Sequence, residues 1–191
     1  MLITSFIWSV LLLTTLPGDN SCKKNLDTWV PEIANRLSRD SIWYDARKGT
    51  DCSGMMHRLF DSLEQRCSNF ELPDRSCRDS RALAAYYHKI GNLELVSDPH
   101  KSAKQVRPGM LLFFSYTPLA KGQKIPEGIC HVGMVTGIQE GPDRNQVIGI
   151  ELFHGHRPGT VASISTLRDT GKSTKAYSNG TQYWVAYAAI D

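Results

Sequence analysis

The sequence has no large excess of charge of either sign: 22 basic and 19 acidic side chains leave a net +3, and they are mixed along the chain. No basic stripe forms, which excludes an electrostatic nucleic-acid binder. Long apolar runs are also missing. The apolar run Phe6 to Leu13 falls well short of the ~20 residues that a bilayer crossing requires. There are no internal repeats, no low-complexity tracts and no Pro/Gly/Ser-rich linker, so nothing divides the chain into units. With 191 residues and 41% hydrophobic content, it can build one ordinary core.

What is present begins with Met1 to Gly18, which carries no charged side chain and ends in the helix-breaking pair Pro17-Gly18. This fits a secretory signal over residues 1–21, removed to leave a single domain over 22–191. The mature protein is then expected in the periplasm, the cell envelope or outside the cell, with no stable membrane insertion, as a monomer. A retained N-terminal anchor is the competing reading.

The five cysteines are Cys22, Cys52, Cys67, Cys77 and Cys130. If one is kept free as a nucleophile, the even remainder in an exported chain suggests two disulfides. Cys67 and Cys77 enclose a short segment, Ser68 to Ser76, and are the first expected pair; Cys22 with Cys130 follows by elimination.

The stretch Asp51-Cys52-Ser53-Gly54 organises the rest. After it, Met55, Met56, Leu59, Phe60 and Leu63 recur at helical spacing, predicting a buried amphipathic helix entered directly from the cysteine. Asp51 is a good N-cap. Cys52 then sits at the first turn, where unpaired amides and the partial positive charge of the helix start favour thiolate, the attacking form of sulfur. The plainer alternative is a buried cysteine in a helix that happens to be capped.

Around this helix the chain reads as helices first and strands after. Leu26, Trp29, Val30, Ile33 and Leu37 give an earlier helix starting near Asn25; a later one begins at Asp79 or Ser80 and ends at Gly91. Strands are expected over Met110 to Phe114, His131 to Ile138, Val147 to Phe153, Val161 to Ser165 and Tyr183 to Ile190. The polar loop Ser115 to Gly128 is long for a hairpin connection and is a candidate lid. The fold class is α+β, with N-terminal helices packed on a C-terminal antiparallel β-sheet of about five to six strands.

A cysteine nucleophile needs a base, and the base needs a polar group to orient it. His57, flanked by Arg58, is expected to face solvent, and His88 and His100 lie in polar segments. His131 begins one strand and His154 ends the next, so antiparallel pairing sets the two rings side by side. His156 is the alternative third residue; strand parity favours His154.

The ordered set of Asp51-Cys52-Ser53-Gly54, Leu72-Pro73 to Arg75-Ser76 before a helix, Arg107-Pro108-Gly109 before Leu111 to Phe114, His131-Val132-Gly133, and Phe153-His154-Gly155 resembles the NlpC-type cell-wall peptidases. The resemblance runs from about Tyr44 to the last strand. It implies a papain-like fold and cleavage of peptidoglycan stem peptides, commonly between γ-D-glutamate and the diamino acid. It further implies Cys52 as nucleophile, His131 as base and His154 as orienting residue, with no metal or other cofactor. Tyr44 looks like the family tyrosine that serves the oxyanion site, and Asp51, Ser53 and His156 are candidate substrate contacts. Met110 stands where the family usually has Asp, and the connector from Tyr44 to Cys52 lacks the usual paired glycines.

Other readings remain open. The same three residues suit an N-acetylmuramoyl-L-alanine amidase or an exported antibacterial amidase. A catalytically inactive wall-binding domain would keep the cleft without the chemistry. Cys130, His131, His154 and His156 suggest a zinc module, but neighbouring strand residues face opposite ways.

Overall fold

A computed structural model describes residues 21–120, 122–123, 128–143, 146–172 and 174–190. The expected signal segment, up to residue 20, and part of the expected lid, residues 121 and 124–127, lie outside them. The described chain is α+β. Five helices, α1 (Ser21–Lys24), α2 (Leu26–Arg39), α3 (Cys52–Arg66), α4 (Ser80–Lys89) and α5 (Pro99–Ala103), accompany six strands. The strands are β1 (Leu93–Leu95), β2 (Leu111–Ser115), β3 (Ile129–Glu140), β4 (Val147–His154), β5 (Ser163–Arg168) and β6 (Tyr183–Ala188). They form one antiparallel sheet in the order β1-β6-β2-β3-β4-β5.

The sheet is covered on both faces. On one, Val30 and Ile33 of α2, Met55 and Leu59 of α3 and Leu83 of α4 meet Phe113, Val132, Met134 and Phe153. On the other, Val96, Ala103, Val106 and Tyr177 cover Leu112, Phe114, Val135 and Leu152. Because every residue of β2 is buried, it reads as a continuous apolar run rather than an alternation. Burying one such Phe contributes about 2–3 kcal/mol, so β2 is the main hydrophobic anchor of the sheet. No helix among the described residues is long and apolar enough to cross a membrane.

Three sequence expectations are corrected. The disulfide joins Cys22 to Cys67, not Cys67 to Cys77 or Cys22 to Cys130, with Cα atoms 6.1 Å apart. Cys67 caps the far end of α3, donating its amide to Leu63 O at 2.9 Å, and α1 is brought alongside. The segment after Cys67 turns back toward the start of the helix. Cys77 O there meets His57 Nε2 at 2.9 Å, one helical position for each of ten residues away from Cys67, or about 15 Å. Cys77 and Cys130 are free. His57 is therefore also buried, 4% exposed, rather than facing solvent. The strand expected at Val161 starts at Ser163, because Val161 pairs with Trp43 in the connector before α3.

The bridge closes a loop of 45 residues, for which chain entropy gives a stabilisation of about 4 kcal/mol. Peptide mapping under alkylation should recover Cys22 linked to Cys67, with Cys52, Cys77 and Cys130 alkylated. The Cys22→Ala/Cys67→Ala variant should unfold at lower denaturant concentration by that order. A Cys67–Cys77 peptide would overturn the topology.

Candidate active site

Cys52 is the first residue of α3, and the local sequence explains why the helix begins there. Asp51 accepts a hydrogen bond from Gly54 N at 2.9 Å, satisfying one of the free amides of the first turn. Gly54 is required by packing: a Cβ at that position would collide with the carbonyl of Gly49. Arg78, just before α4, closes the arrangement, donating Nη1 to Asp51 Oδ1 at 2.9 Å and Nη2 to Oδ2 at 3.2 Å. It also donates to Ser53 Oγ at 2.9 Å and Ala46 O at 3.0 Å, while Ser53 Oγ donates to Arg78 O at 2.6 Å. Asp51 and Ser53, candidate substrate contacts from sequence, are thus engaged in this internal bracket.

The start of α3 abuts the end of β4. A Cβ on Gly155 would lie 3.0 Å from the Asp51 carbonyl carbon and 3.2 Å from Cys52 N, so a glycine directly after His154 permits the approach. The thiol lies in a cleft of about 290 Å³ lined by Tyr44, Ser80, Ile129 and Cys130 among others. A larger hollow of about 770 Å³ lies over Leu95 to His100, and no cysteine is among its described lining residues. The Tyr44 hydroxyl makes no hydrogen bond within the described protein. Burial raises its pKa, and the neighbouring Cys52 and Asp51 charges add to this. The connector carrying it is held by Tyr44 N donating to Thr160 O at 2.9 Å.

His131 and His154 come together as adjacent strands require: Nε2 of His131 lies 2.6 Å from Nδ1 of His154, and Nε2 of His154 lies 2.8 Å from Ser165 Oγ. Among the described residues the His131 Nδ1 has no hydrogen-bond partner. His156 bonds Ser163 Oγ at 2.8 Å instead of His131, and its ring lies against His154 with centroids 3.8 Å apart and planes tilted by 49°. Cys52 and His131 are not hydrogen-bonded to each other. The sulfur lies 3.4 Å from Ser80 Oγ, a contact between two buried side chains. Sequence reasoning missed Ser80, Ser165 and Arg78. The Ser163-x-Ser165 alternation opposite His154 was a readable signal for Ser165; Ser80 depends on how α4 docks and has none.

Electrostatics differ from the sequence expectation that the helix start favours thiolate. Burial raises the Cys52 pKa, and the Ser80 hydroxyl and backbone hydrogen bonds involving Val132 and Ser53 offset this only in part. Burial likewise lowers His131 to about 4, and His154 falls well below free imidazole, with the other rings adding to the effect. At neutral pH the resting groups are therefore a thiol and neutral imidazoles. Among the described residues no group of three His, Cys, Asp or Glu side chains is disposed to hold a metal ion. Comparison with protein-family models, curated proteins and solved structures finds no match to this chain.

Two outcomes follow from these shifts. Replacing Ser80 with Ala removes a hydrogen bond that lowers the thiol pKa, so the pH midpoint of Cys52 alkylation by iodoacetamide should move upward; an unchanged or lower midpoint would discard the contact. His131 titrates at about 4 when folded against 6.5 when free, so as pH falls between those values the unfolded chain takes up a proton that the folded chain refuses. Stability present above pH 6.5 should be lost toward pH 4, by about 3 kcal/mol from this ring. Urea unfolding at both pH values should show a smaller loss in His131→Gln.

Proposed function

We propose that this chain is an exported cysteine hydrolase of papain-like, NlpC-type architecture. It cuts the peptide stems of peptidoglycan, at the bond between γ-D-glutamate and the diamino acid. The observation that carries this reading is the meeting of a capped, cysteine-bearing helix start with the end of the strand that bears His154, itself bonded to His131 at 2.6 Å.

The arrangement can perform acyl transfer in two halves. With Nε2–H of His131 donated to His154 Nδ1, and Nε2–H of His154 donated to Ser165, His131 is left with a lone pair on Nδ1. That lone pair takes the thiol proton as Cys52 Sγ attacks the scissile carbonyl. Because both groups rest neutral, the ion pair forms during attack, with His131 acting as a general base. Free amides at the start of α3 and the Tyr44 hydroxyl are available to the developing oxyanion. The proton on His131 then passes to the leaving amine as the C–N bond breaks; a water deprotonated by the same nitrogen attacks the thioester, the C–S bond breaks to release the acid, and the proton returns to the Cys52 sulfur.

A wall-binding domain with an idle cleft is the second reading, favoured by the thiol's contact with Ser80 in place of His131. Digestion of purified peptidoglycan separates the two. Cys52→Ser and His131→Ala should each lose nearly all release of muropeptide fragments, ~10³-fold or more, while still melting cooperatively. Digestion equal to wild type in either variant rejects the hydrolase, and wall binding without release in the wild type supports the second reading.

A further inference from the structure

A second cleft, of about 660 Å³, opens beyond His156, between two rigid turns. In the first turn, Arg157-Pro158-Gly159-Thr160, Thr160 N donates to Arg157 O at 3.2 Å and Gly159 takes φ +83°, the geometry that Pro followed by Gly provides. In the second, Asn179 and Gln182 exchange backbone hydrogen bonds at 3.1 and 3.0 Å around Gly180-Thr181. Most of the polar lining is already committed. Thr160 Oγ1 bonds Arg157 O, Ser163 bonds His156, Asn179 bonds the Gln182 side chain, and Gln182 Nε2 donates to Cys130 Sγ. Among the described residues three donors of the lining have no protein partner: the Arg157 guanidinium and the hydroxyls of Tyr116 and Thr181. Among the described residues no Asp or Glu lines this cleft, and the His156 beside the guanidinium is itself biased toward the neutral form by burial and by the Arg157 charge.

We propose that this cleft is a carboxylate subsite, in which Arg157 binds an acidic group on the leaving-amine fragment of the substrate. A guanidinium on a hydrogen-bonded turn, with no acid among the described residues to pair with, suits a planar carboxylate, which it can hold through two parallel N–H···O bonds, with hydroxyls at the rim. The direction of binding rests on the hydrolase reading. The leaving amine is protonated by an imidazole, so the fragment that departs lies on the histidine side, and His156 leads from that side into the cleft. Continuity with the Cys52 cleft runs through Cys130, which lines one hollow and is hydrogen-bonded by Gln182, which lines the other. The substrate class is thereby narrowed to peptides whose amine-side residue carries a free carboxylate, as a diamino acid at a stem terminus does.

The test uses the full chain with Cys52→Ala and two small probes, N-acetylglycine and N-acetylglycinamide, titrated while the backbone amide signals of Thr181 and Gln182 are followed by NMR. The acid should bind about 10-fold or more tightly than the amide, Arg157→Gln should abolish the difference and Arg157→Lys should keep part of it. Equal binding of acid and amide, or an acid preference that survives Arg157→Gln, overturns the proposal. No turnover enters this readout, so a protein that fails to digest peptidoglycan can still pass it. In an active wild-type background, Arg157→Gln should raise KM for free-acid peptides about 10-fold with kcat within about 2-fold, and leave amidated peptides unchanged.

Discussion

The Asp51 carboxylate is the interaction on which the rest of the site depends. One side chain terminates the connector, starts α3 by capping Gly54, and binds the guanidinium that leads into α4. The connector with its helix start and the segment 27 residues further on that leads into α4 are thereby fixed relative to one sulfur. A hydrogen bond to a charged group contributes more than a neutral one, about 1.5–3 kcal/mol, and it leaves less freedom in the backbone that carries the thiol. Both carboxylate oxygens of Asp51 accept hydrogen bonds from Arg78. Its contribution is positional.

Burial sets the second constraint. The sulfur is 7% exposed and His131 3%, and low solvent access raises one pKa and lowers the other. A site built this way rests uncharged, and in the proposed reaction charge is created only when a carbonyl accepts the sulfur. The Ser80 hydroxyl contacts the thiol, and among the described residues Nδ1 of His131 has no hydrogen-bond partner. The chain of His131, His154 and Ser165 orients the ring through two strand neighbours, which ties its orientation to the sheet register.

Much of this was legible in the residues and some was not. The start of α3 was readable because Asp51, Cys52 and the spacing of Met55, Leu59 and Leu63 agree with one another. The histidine pair was readable from their positions at facing strand ends. β1 and α5, at three and five residues, are too short to carry a period. His57 lies on a helix side that spacing assigns to solvent and that the returning segment at Cys77 covers. The pairing of Cys22 with Cys67 depends on α1 lying against the end of α3, which no local spacing encodes. The preference of Cys52 for thiol over thiolate depends on what packs above the sulfur, and that is supplied by α4 and β3 from elsewhere in the chain.

The disulfide and the candidate nucleophile occupy opposite ends of the same helix. Fifteen residues at 1.5 Å per residue separate them by about 22 Å, and α3 is packed along its length. Thiol–disulfide exchange requires sulfur atoms in contact, so the folded chain insulates its reactive sulfur from its own bridge. Scrambling between them is open only to molecules that have first lost the helix.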